Sequence, residues 1–140
     1  MTWHEIKLRW LLYRAGLPFR KPERKIADAR RVLSANPNCA KAWHIIGVHL
    51  YQINFYELDF TREHDQEILR HYERAYDLNP GEYKYAFSYI WFLCYAGQKE
   101  MAASLLRENK SLPAERISRL MDNVDGFIED KLTGRFTPSD

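Results

Sequence analysis

Residues 40–80 read AKAWHIIGVHLYQINFYELDFTREHDQEILRHYERAYDLNP, and this stretch decides the fold. Its first part places Trp43, Ile46, Gly47, Leu50 and Ile53 or Asn54 at steps of three and four residues, the spacing of one helix face. Its second part repeats the pattern from about Thr61 to Leu78 through Ile68, Leu69, Tyr72, Ala75 and Tyr76, and Asn79-Pro80 ends it. Gly47 has no side chain, so a paired helix can approach there, while Trp43 and Tyr72 are large enough to fill the wedge on either side. Two helices packed through a glycine contact are the expected unit.

The same grammar extends both ways. Toward the N-terminus, Trp3, Ile6, Trp10 and Tyr13, widened by Leu8, Leu11 and Leu12, predict a helix over roughly 2–15, closed by Gly16 and Pro18. Its apolar stripe is expected to pack against the next helix. That helix is expected from Pro22, a favourable first-turn residue, to Ala35, burying Ile26, Ala29, Val32 and Leu33 before Asn36-Pro37. Toward the C-terminus, helices are expected over about 82–96, turned by Gly97-Gln98, then through Met101, Ala102, Leu105 and Leu106, and again after Pro113 through Ile117, Leu120, Val124 and Ile128. No alternating strand pattern occurs, so the expected fold class is all-α.

Pro37, Pro80 and Pro113 each close a helix, 43 and 33 residues apart. Residues 40–80 carry Trp43, Ile46, Gly47 and Leu50, then Tyr72, Ala75 and Pro80. In that order they resemble the tetratricopeptide repeat, a helix pair of about 34 residues. The resemblance is weaker elsewhere. In 81–113 Gly97, Ala102, Leu106 and Pro113 fall in order, but Ala86 and Ile90 stand where the Trp and Gly would be, and 3–37 keeps mainly Val32, Leu33 and Pro37. The resemblance implies a TPR-like α-α superhelix over 1–132: a degenerate unit 3–37, an extended unit 38–80, a unit 81–113, and a capping helix 114–132 with a polar back. Residues 133–140 read as a tail. A non-repeating helical bundle is the competing architecture.

Composition sets the outer bounds. With 140 residues, 46% hydrophobic and 29% charged, the chain can bury a core without covalent staples. The two cysteines, Cys39 and Cys94, have no CxxC spacing and read as reduced thiols of a cytoplasmic protein. The longest apolar run, Tyr89 to Ala96, is too short to span a bilayer, so no transmembrane segment is expected. The formal charge of +2 conceals an asymmetry. Residues 1–41 carry ten Lys/Arg against three acids, a balance of +7, and residues 42–140 carry eleven against sixteen, a balance of −5.

Motifs of chemistry are sparse. His64, Glu67 and His71 share a helix face at metal-ligand spacing, but the charged residues around them fit a solvated face equally well, and no metal or cofactor is expected. HExxH, GxSxG and a Gly-rich phosphate loop are all missing, and the expectation is that the protein is not an enzyme. Arg20, Lys21, Arg24, Lys25, Arg30 and Arg31 could track phosphates, but no reading helix or stacking motif accompanies them, which argues against nucleic acid. Trp3 and Trp10 beside Lys7, Arg9 and Arg14 leave a membrane-surface role open for the basic N-terminal third.

The expected function is a protein–protein interaction module, an adaptor or chaperone-like protein. The alternative is a self-associating structural subunit, a homo-oligomer joining basic end to acidic end. If the family's geometry holds, its binding groove runs along the first helix of each pair. The resemblance then implies Lys41, His44, Val48, Tyr51 and Gln52 in one unit, with Lys84, Phe87, Trp91, Cys94 and Tyr95 in the next. An apolar partner segment would lie on the aromatic floor, with Trp91 as the main contact. His44 and Val48 stand where the subgroup that clamps chaperone C-terminal carboxylates needs other residues, so no such clamp is expected. The extended unit adds Phe55, Tyr56, Leu58 and Phe60, too apolar for a free loop and expected either to fold back or to form a second binding surface.

Overall fold

The computed structural model describes residues 2–56, 62–109 and 119, with the backbone alone at 55, 56 and 62. Among them there are six α-helices and no strands, and the fold class is all-α. The chain divides into two compact units, Met1–Asn79 and Pro80–Asp140.

The first unit contains α1 (Trp3–Ala15), α2 (Pro22–Ala35), α3 (Ala40–Tyr56) and α4 (Arg62–Leu78). Local chemistry sets the ends. Thr2 and Glu5 form a reciprocal capping box at the start of α1, each side chain bonding the other's backbone N–H at 3.1 Å. Pro22 opens α2 at a position whose N–H would have no partner in any case. Between α2 and α3, Asn36 folds its side chain onto the Asn38 N–H, and the Trp43 indole donates to the Pro37 carbonyl at 2.8 Å.

Each helix of this unit packs on the next: α1 on α2, α2 on α3, α3 on α4. One buried cluster joins the first three through Leu11 and Ala15, Ile26, Ala29 and Val32, and Ala42, Ile45 and Ile46. Complete burial of a side chain such as Ile46 or Val32 contributes roughly 1.5–3 kcal/mol. Gly47 is the close contact between α3 and α4. A β-carbon there would lie 2.8 and 2.9 Å from ring carbons of Tyr72, whose ring is buried. Trp43 meets His71 on the other side, ring centroids 5.4 Å apart. The wedge expected from the sequence is present.

The face of α1 that packs is not the one expected. Leu8, Leu11, Leu12 and Ala15 turn to the core, and Trp3, Ile6, Trp10 and Tyr13 are exposed. The two sets occupy opposite sides of the helix, so only one can be buried against α2. In this orientation Arg14, at the edge of the tryptophan side, forms an ion pair with Asp28 of α2.

The second unit contains α5 (Tyr83–Tyr95) and α6 (Lys99–Glu108), which pack on each other. In α5 Ala86, Tyr89, Ile90, Phe92, Leu93, Cys94 and Tyr95 are buried, and this helix is the most apolar of the six. Gly97 ends it with φ +84°, a conformation that disfavours any residue with a β-carbon. The Gln98 N–H then reaches back to the Leu93 carbonyl at 2.8 Å, closing the turn into α6. The Asn109 amide donates to the Pro80 carbonyl at 3.1 Å, tying the exit of α6 to the start of the unit. The expected capping helix 114–132 lies outside the described residues apart from Arg119, which is helical, and the tail 133–140 lies wholly outside them.

Candidate functional site

Along α5 the aromatic residues recur every fourth position: Tyr83, Phe87, Trp91 and Tyr95. A four-residue step keeps side chains on one face, stacked above each other. Tyr83 and Phe87 lie 5.7 Å apart between ring centroids, and Trp91 and Tyr95 stack almost parallel, 8° between planes at 5.7 Å. Phe92 closes on Tyr95 from the side at 5.1 Å. Exposure along the stripe peaks at its second residue and falls toward Tyr95. Phe87 is 36% exposed, Tyr83 and Trp91 are half-buried, and Tyr95 is buried. Lys84 stands exposed beside its outer end.

Two of the expected groove residues are buried. Tyr95 is not part of an open floor; it supports Trp91 from within the core. Cys94 is fully buried and unavailable to a partner. Tyr83 was missed, although its four-residue offset from Phe87 signals it.

On α3 Lys41 is exposed, and His44, Val48, Tyr51 and Gln52 are half-buried. Part of this face is already used by α4. The His44 ring lies 5.8 Å from that of Tyr72, and burial together with the charge of Asp65 pushes the Tyr51 hydroxyl pKa up. Burial, with a smaller contribution from Tyr51, raises the Tyr72 hydroxyl further, so both phenols stay protonated. Gln52 pairs with His49 at 3.0 Å. Burial pushes the His49 pKa down; the Gln52 bond opposes this and the charge of Lys25 adds to it. His49 is thus held neutral. Lys41 and Val48 remain as the part of this face with no such role assigned.

The expected groove draws on residues of both compact units. In the first unit it is the α3 face just described; in the second it is the α5 stripe. Among the described residues, depressions also lie along α4 at Glu63, Gln66, Leu69, Arg70 and Glu73, and at Gly97–Met101.

Of the His64, Glu67, His71 pattern, His71 has a role within the fold. The His71 ring bonds the Glu67 carbonyl through Nδ1 at 2.8 Å and packs on Trp43. Among the described residues no three His, Cys, Asp or Glu side chains come together in a metal-binding arrangement. Neither Cys39 nor Cys94 is in a disulfide. Of the second candidate surface, Leu58 and Phe60 lie outside the described residues, and so do the side chains of Phe55 and Tyr56.

One constellation was invisible in the sequence. Asp28 is 3% exposed and accepts a two-pronged hydrogen bond from Arg14, at 2.6 and 2.9 Å, and an ion pair from Arg20 at 2.8 Å. Burial alone would raise its pKa, but the two guanidinium groups outweigh that and hold the carboxyl below its usual value. The same Arg14 guanidinium lies 4.4 Å above the Trp10 ring. This clasp fixes α1, the following loop and α2 together. No helix among the described residues is long and apolar enough to cross a membrane. No family model, curated protein or solved structure matches the chain.

Proposed function

We propose that this protein is a non-enzymatic protein–protein interaction module, adaptor or chaperone-like, in which TPR-like stacked helix pairs hold an apolar segment of a partner. The observation that carries this reading is the aromatic stripe of α5. It leaves Phe87 exposed and Trp91 half-buried, with Trp91 stacked on buried Tyr95. Rigid aromatic groups with one side supported lose little entropy on binding, and such anchors carry a large share of interface energy. The helix-on-next-helix packing of the first unit and the Gly47–Tyr72 contact support the repeat-like architecture.

The test is substitution of the exposed residue of the stripe. Phe87→Ser removes the anchor with the least structural role, and the variant should keep its helical circular dichroism and melting temperature within a few degrees. Capture of the partner should fall at least about tenfold. Unchanged capture at full stability rejects the α5 stripe as the binding face.

Self-association is the second reading, because the first 41 residues are net basic and the remainder net acidic. A light-scattering mass that doubles with concentration, and falls back as salt is raised, selects it over the adaptor.

A further inference from the structure

α1 carries apolar side chains on both of its sides, and only one side is used by the fold. Leu8, Leu11, Leu12 and Ala15 are committed to the core. On the opposite side Trp3 is 85% exposed, and Ile6, Trp10 and Tyr13 are exposed as well. Six residues beyond Tyr13, in the loop that follows, Phe19 is 94% exposed. At 100° per residue the four helical members fall within an arc of about 80°, a narrow stripe along a helix about 20 Å long. Arg9 borders that stripe on one side, and Lys7 and Arg14 border it on the other.

Charge says what covers it. The first 41 residues contain three acids, Glu5, Glu23 and Asp28. Asp28 is buried and neutralised by Arg14 and Arg20, and Glu5 is engaged in the capping box. The surface around the stripe is therefore dominated by cations, and the partner must be both apolar and anionic. It must also suit a convex single helix, because these side chains stand out from α1 rather than lining a cavity. Trp and Tyr are the side chains that settle at the headgroup level of a bilayer, with a ring in the acyl boundary and a polar atom in the interface. Flanking Lys and Arg reach lipid phosphates from the same depth.

We propose that α1 is a membrane-surface anchor that lies in the plane of an anionic bilayer. Trp3, Ile6, Trp10 and Tyr13 enter the interface, Phe19 adds a second contact, and Lys7 and Arg9 pair with lipid phosphates. The Arg14–Asp28 clasp holds α1 against α2, so the leucine face stays in the core while the tryptophan face meets lipid. The role is independent of the α5 stripe.

The test is flotation of the full chain with phosphatidylcholine vesicles containing or lacking roughly a third phosphatidylserine. The protein should float with the anionic vesicles and much less with the neutral ones. Trp3→Ser/Ile6→Ser, which leaves Arg14 and its contacts alone, should lower the vesicle partition constant at least about tenfold at an unchanged melting temperature. Lys7→Glu/Arg9→Glu should also weaken binding, and raising salt from about 0.1 to 0.5 M should reduce it further. Failure of the wild type to float with anionic vesicles overturns the proposal. So does flotation that the Trp3/Ile6 variant retains, since that would be charge attraction alone. Polyanionic DNA binding as strongly as the vesicles, with the same loss in the charge variant and none in the apolar one, assigns the patch to nucleic acid. A dimer that the apolar variant dissolves, in a protein that ignores vesicles, assigns it to a second copy.

Discussion

Placing a single methyl group at Gly47 measures the contact on which the first unit is built. In Gly47→Ala the new β-carbon would stand 2.8 and 2.9 Å from Tyr72 ring carbons and 3.4 Å from the His71 β-carbon. Comfortable carbon–carbon separations begin near 3.5 Å, so roughly 0.7 Å must be found. Neither neighbour yields freely. Tyr72 is buried with its ring against His44, and His71 is held by Trp43 and by the Glu67 carbonyl. Overpacking of this kind costs about 1–3 kcal/mol. Replacing a helical glycine by alanine returns about 0.8–1 kcal/mol of helix propensity. The net expectation is a loss of about 1 kcal/mol, lowering the melting temperature by roughly 4–8 °C for a unit of this size. A double-mutant cycle makes the sign diagnostic. In a Tyr72→Leu background the ring is gone, and the same alanine should stabilise by several tenths of a kcal/mol, a coupling of about 1.5–2 kcal/mol. Urea and thermal unfolding by circular dichroism read both arms. If alanine stabilises in the wild-type background, or the two changes add within about 0.5 kcal/mol, the ring does not lie against Gly47 and the close approach of α3 and α4 is wrong.

Other expectations follow from the same structure. Asp28→Asn removes the carboxylate charge and one of the two acceptor oxygens that face Arg14 and Arg20, and should cost about 2 kcal/mol in urea unfolding; a loss under about 0.5 kcal/mol would show the clasp to be slack. His49 has a folded pKa below 6.5, so its contribution to stability is complete above pH 6.5 and is lost as pH falls through the lowered value. The melting temperature should therefore decline on acidification from about pH 7 to 5, and His49→Gln should flatten that decline; an identical slope in the variant assigns the titration elsewhere. With His44 and Val48 on the α3 face, a peptide ending in an acidic chaperone tail should show no binding in the micromolar range by calorimetry.

The helices were legible because their ends are written in residues with special backbone chemistry. Pro22 opens α2 and Asn36-Pro37 closes it, so its predicted span, Pro22–Ala35, is the span observed. The Gly47–Tyr72 wedge was legible for a related reason: a glycine amid large side chains on a helix has few other uses. The orientation of α1 was not. Apolar residues surround that helix, and which of its sides is buried depends on how it packs on α2, which does not show in local periodicity. The clasp itself joins residues fourteen apart whose types are ordinary surface types. On α5 the abundance of apolar residues announced burial, but only packing separates buried Tyr95 from exposed Phe87, two four-residue steps back along the same face.

The claim that α5 presents a partner-binding stripe is tested most directly by crosslinking from within it. A photoreactive phenylalanine analogue placed at Phe87, and in a second variant at Arg31 on the exposed side of α2, is activated in living cells and the adducts are sized and identified by mass spectrometry. The account predicts one dominant protein adduct from position 87, mapping to an apolar segment of its target, and none of that adduct from position 31. Equal, diffuse labelling from both positions, or no adduct from position 87 in a protein that is folded, contradicts it.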